Sequence, residues 1–114
     1  MMPKLLGKTS FESRHDVEPL VRRLIKQQSP SAIRGAILRM MDRPDSFATI
    51  KSVDVPTLIL AADEDQLTPV DDSRKMQSAC TKAELEILPR TGHLANLETP
   101  DAFNAALSGF LGRI

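Results

Sequence analysis

The sequence contains no tryptophan and no tyrosine, and its only aromatic side chains are four phenylalanines. Stacking platforms for single-stranded nucleic acid are therefore poorly supplied. An excess of one charge is missing too. Lys+Arg and Asp+Glu each number 15, so the formal net charge is zero, and nothing favours nucleic acid or an anionic membrane as partner. Cysteine is nearly absent. Cys80 stands alone, which excludes an internal disulfide and suits a reducing, cytoplasmic compartment. One cysteine and two histidines do not furnish a structural zinc site, and no motif asks for another metal or a cofactor. There is no apolar run long enough for a signal peptide or a membrane span. Internal repeats and low-complexity tracts are also lacking.

What remains is ordinary for a soluble globular chain: 41% hydrophobic and 26% charged residues over 114 positions. That length suits one small domain, able to bury roughly two-thirds of its unfolded surface. Residues 1–13 are polar, show no period and are expected to fray. Residues 16–28 read as a helix, with Asp16 as cap and Val17, Leu20, Val21, Leu24 and Ile25 on one stripe. Ser29-Pro30 opens a second helix. Its face of Ala32, Ile33, Ala36, Ile37, Met40 and Met41 suits helix packing, or the lining of a greasy pocket. A turn at 42–46 and a short helix at 47–50 follow.

The run TLILA at 57–61 is almost wholly apolar, as in a parallel strand buried on both faces. An acidic loop comes next, at 63–68. Thr68 then caps a helix that starts at Pro69 and reaches about Cys80. Residues 83–88 alternate apolar and acidic, the pattern of a second strand with one wet face. A polar loop spans 89–96. The signature Thr99-Pro100-Asp101 opens a final helix reaching about Arg113, with Phe103, Leu107, Phe110, Leu111 and Ile114 as its stripe. The class is α/β: helices first, then a β-α-β-α unit with two parallel strands and a right-handed crossover. Two strands are too few to stand alone, because both faces and both edges need cover.

Ligands of open α/β sheets bind beyond the carboxyl ends of the strands. Both polar loops leave such ends, one carrying Asp65 and the other His93 behind Gly92. A hydrolytic histidine needs a carboxylate on one ring nitrogen, and Asp65 could be that group. The residues alone also allow a solvated acidic loop and a surface histidine bonded to backbone. Glu98 reads most simply as a helix-start residue and Asn96 as a polar loop group. No role suggests itself for His15, and Cys80 suits a small buried position.

The segments PTLILAADEDQLTP and PRTGHLANLETPDAFNAALSGFL resemble the acid segment, and the histidine segment with final helix, of α/β-hydrolase-fold proteins. The resemblance is strongest to lactonase and esterase-like members related to 3-oxoadipate enol-lactonase. AILRMMDRPDS resembles the end of their helical cap. The resemblance implies a partial α/β-hydrolase fold, with residues 1–52 cap-like and residues 53–114 the rear of the core. It implies Asp65 as triad acid, His93 as general base and an ester or lactone as substrate. The family nucleophile sits in G-x-S-x-G. None of the five glycines here begins that motif, and no Gly-rich oxyanion loop is present. The expectation is therefore a truncated or split serine hydrolase, inactive alone. The alternative is a non-catalytic module that complements another chain. Self-association through an exposed strand edge is expected in either case.

Overall fold

The computed structural model describes residues 2–114. Strands β1 (Thr57–Ala62) and β2 (Ala83–Leu88) pair in parallel, with Thr57 opposite Ala83 and Ala62 opposite Leu88. The crossover helix α6 (Val70–Ala79) and the last long helix α8 (Pro100–Leu111) both pack on the two strands. In β2 the alternation holds: Leu85 and Ile87 are half-buried, while Glu84 and Glu86 face water. In β1 the apolar run is buried only at Ala61 and Ala62, and Thr57 to Leu60 are half-covered. Among the described residues these are the only two strands, so each keeps one unpaired edge.

Before the sheet come α1 (Met2–Leu5), α2 (Lys8–Ser13), α3 (Val17–Lys26), α4 (Pro30–Asp42) and α5 (Phe47–Ile50). A short α7 (Ala95–Glu98) lies between β2 and α8. The start of the chain departs from the irregular lead-in expected of it. Residues 2–13 are mostly helical, and Leu6 is among the most buried side chains, 1% exposed. The reason is tertiary. Leu6 joins Val17 and Val21 in a buried cluster, covered by Met2, Leu5, Phe11, Leu94 and Leu97. A single leucine with distant partners leaves no periodic signal in the sequence.

The helical stripes are only partly used. Val17 and Val21 of α3 are buried, while Leu24 and Ile25 stay exposed. In α4 the expected start forms, with the Ala32 N–H donating to Ser29 Oγ at 3.1 Å and Pro30 in the first turn. Yet α4 has no buried residue, and Met40 and Met41 are 61% and 75% exposed. Among the described residues no element covers its apolar face well enough to bury a side chain of it. The stripe of α8 is divided: Phe110 is buried, but Leu107, Leu111 and Ile114 are exposed.

These open faces show in the overall dimensions. The radius of gyration is 15.7 Å, against about 13 Å for a compact domain of this length. The accessible surface is 8026 Å², against about 6,200 Å² for a folded monomer of this mass. No helix among the described residues is long and apolar enough to cross a membrane.

Candidate active site

The loop after β1 turns back at once, with the Asp65 N–H donating to the Ala62 carbonyl at 3.3 Å. It is laced to the loop after β2. The Asp63 N–H donates to the Leu88 carbonyl and the Glu64 N–H to the Thr91 carbonyl, at 3.1 and 2.8 Å. The Thr91 N–H returns a bond to Asp63 Oδ1 at 3.3 Å. The parallel register puts both strand ends level, so these two loops meet.

Asp65 gathers donors on both oxygens. Its Oδ1 accepts the N–H groups of Leu67 and Thr68, at 2.9 and 3.0 Å. Its Oδ2 accepts the Thr68 hydroxyl at 2.6 Å. Thr68 was expected to cap the next helix. Instead α6 starts at Val70, with Pro69 at the cap position, and the Thr68 hydroxyl is spent on Asp65. The Asp65 side chain is only 8% exposed. Burial pushes its pKa up, but the Thr68 hydroxyl, the Thr68 N–H, His93 and the Leu67 N–H outweigh that and hold it below the ordinary carboxylate value.

His93 Nδ1 lies 3.0 Å from Asp65 Oδ2. A carboxylate held ionised is an acceptor only, so a proton sits on Nδ1, and in the neutral ring that leaves the lone pair on Nε2. Nε2 has no hydrogen-bond partner among the described residues. The side chain of His93 is 34% exposed, so the ring is anchored at one nitrogen and open at the other. Gly92 is needed for a close approach of backbones. A Cβ there would run into the backbone of Leu6 and Gly7.

The residue that sequence reasoning missed is Glu98. It is 1% exposed. Its Oε1 accepts the Gly7 N–H at 2.8 Å, the Ser10 hydroxyl at 2.6 Å and the Gly92 N–H at 3.1 Å. Its Oε2 accepts the Leu94 N–H at 3.1 Å. A second carboxylate, Glu64, accepts the Thr9 N–H and hydroxyl at 2.8 and 2.6 Å. Two acids from the strand-end loops thus grip the turn that opens α2. The neighbouring Thr99-Pro100 signature made Glu98 look like helix-start punctuation, and nothing in its spacing points to Gly7 or Ser10.

The other candidates stay apart. His15 and Asn96 are exposed, and Cys80 is buried and free. Ser73 is buried in α6, Ser78 donates to the Arg74 carbonyl, and Ser108 is exposed on α8. None of these serines hydrogen-bonds His93. An open apolar depression of about 360 Å³, lined by Leu5, Val21, Leu24, Ile25, Leu94 and Leu97 among others, runs up to the neighbour of His93.

Known proteins resemble this chain in sequence and in fold. Residues 8–100 match the family model of the alpha/beta hydrolase fold. The RutD protein of Caulobacter sp. (strain K31) is 32% identical over 83 residues, covering 73% of this chain and 31% of that protein. The 3-oxoadipate enol-lactonase 1 of Acinetobacter baylyi is 32% identical over 76 residues, covering 67% of this chain and 28% of that protein. Among solved structures, a thermophilic esterase from Thermogutta terrifontis superposes with a TM-score of 0.95 at 26% identity. That match covers 99% of this chain and 42% of the esterase. The matched segments thus span under a third of the length of these curated relatives.

Proposed function

Since this chain belongs to the α/β-hydrolase fold family, we propose that it supplies the acid and the histidine of a serine-type hydrolase, Asp65 orienting and His93 acting as general base. The observation that carries this reading is the 3.0 Å contact from His93 Nδ1 to Asp65 Oδ2. The chemistry follows from it. Nε2 takes the serine proton as the serine oxygen attacks the carbonyl carbon of an ester or lactone. The same nitrogen returns that proton to the departing alkoxide when the tetrahedral intermediate collapses. Water then attacks the acyl-enzyme by the reverse sequence and releases the acid. Asp65 keeps the productive tautomer throughout and stabilises the imidazolium.

The serine and the oxyanion donors come from outside these 114 residues, which contain no G-x-S-x-G. Alone, the chain has negligible turnover, because losing the nucleophile of such a triad costs about a million-fold. Ester or lactone substrates are supported by the lactonase and the esterase among the similar proteins. Residues 1–52 serve as a cap-like part and residues 53–114 as the rear of the core, in the cytoplasm. The apolar depression beside Leu94 is one wall of an acyl pocket.

A second reading, a non-catalytic complementing module, is favoured by the surface excess of about 1,800 Å² over a folded monomer. One experiment separates the two. The chain is co-expressed with a front segment bearing G-x-S-x-G from a similar hydrolase, and hydrolysis of p-nitrophenyl esters is followed. The catalytic reading expects activity that vanishes with His93→Ala and falls about 10⁴-fold with Asp65→Asn. A stable but inactive complex, or activity indifferent to His93→Ala, leaves the binding module standing.

A further inference from the structure

We propose that Glu98 is the positioning residue for His93, holding the peptide N–H on either side of that histidine; the inference rests on reading His93 as the general base. Gly92 N–H is bound to Glu98 Oε1 and Leu94 N–H to Glu98 Oε2. The two oxygens of one carboxylate therefore clasp the backbone immediately before and after the ring. Two further donors, the Gly7 N–H and the Ser10 hydroxyl, fix the carboxylate itself. The ends of His93 are thus set by a buried side chain and its ring by Asp65. An imidazole on a loop would otherwise drift out of the range that proton transfer needs.

The contribution is separable from plain packing. All four partners of Glu98 are donors, so both its oxygens work as acceptors. Glutamine keeps the size but has one acceptor oxygen and one NH₂. Whichever way it turns, one flank of His93 meets a donor in place of an acceptor. Leu94 N–H also lies 3.3 Å from the Leu5 carbonyl, so Gly92 is the more diagnostic flank.

The test compares the wild-type chain with Glu98→Gln by NMR, reading amide exchange at Gly92 and Leu94 and the ring ¹⁵N pattern of His93. We expect exchange at the two amides to accelerate about tenfold or more, and the Nδ1–H tautomer to give way to a mixture. A folded Glu98→Gln with unchanged exchange and an unchanged ring pattern overturns the proposal. Should that variant not fold, the wild type decides. Gly92 must then exchange as slowly as the amides of the β1–β2 ladder, and exchange at open-loop rates overturns the proposal. Thr9→Ala loosens the same turn at Glu64, leaves every side-chain partner of Glu98 in place and is expected to leave the tautomer alone. A tautomer change in Thr9→Ala as large as that in Glu98→Gln would show general loosening and overturn the proposal. None of these signals needs a serine or a substrate. An inactive complemented enzyme with an intact Nδ1–H pattern therefore rejects the hydrolase reading and leaves the positioning of His93 in place.

Discussion

Asp65 is below its ordinary pKa in the folded chain, despite its burial, because the donors around it prefer the charged form. The sign of its linkage follows. The unfolded chain, with the ordinary aspartate pKa of about 3.8, takes up the proton first as acid is added. The stability contributed by Asp65 is therefore complete at neutral pH. It declines as pH falls past the unfolded value and is gone below the depressed folded value. Urea melts between about pH 5 and pH 2 should show this loss in the wild type and a flatter profile in Asp65→Asn. Gly92→Ala addresses the close approach to Gly7 and Leu6. We expect it to destabilise by about 1–3 kcal/mol or more, read as a lower urea midpoint at unchanged slope. The sequence made Asp65 and His93 visible because each follows an apolar strand and precedes a helix signal. Glu98 stayed hidden because its four partners come from two places far apart in the chain.

Elements were legible where a period or a cap marked them. Both strands, α3 and the Ser29-Pro30 start of α4 fall where the pattern puts them. The failures have local causes. The Thr68 side chain turns back to donate to Asp65, and the helix starts at Val70 without a side-chain cap. Residues 2–13 are held by one buried leucine and two distant carboxylates, and none of these produces a repeating pattern. The apolar face of α4 has the pattern of a packing face, yet no residue of this helix is buried. Helix α4 therefore carries a clear prediction. Ile33→Lys with Ile37→Lys should change the urea stability of the chain by no more than about 0.5 kcal/mol, since both side chains are exposed. The same pair should abolish assembly with a complementing front segment, measured by co-purification. A large loss of stability, or undiminished assembly, would contradict the role given to this face.

At the scale of the molecule, the expanded radius and the excess surface tell the same story as α4 and the unpaired strand edges. The excess of about 1,800 Å² is roughly twice what one partner contributes to a standard interface. We expect the isolated chain to self-associate with rising concentration in sedimentation velocity, and a front segment to suppress that association. A monodisperse monomer across a hundredfold range of concentration would sink this expectation.

The clasp of Glu98 also has a consequence in time. Its partners Gly7 and Ser10 lie 91 and 88 residues away along the chain. Contacts of such separation close late, because the entropy of the long loop must be overcome before any bond rewards it. During synthesis Gly7 leaves the ribosome 91 residues ahead of Glu98. Until Glu98 emerges, these donors of the α1–α2 turn can be met only by water. The backbone beside His93 can therefore be clasped only once Glu98 has emerged and met the α1–α2 turn.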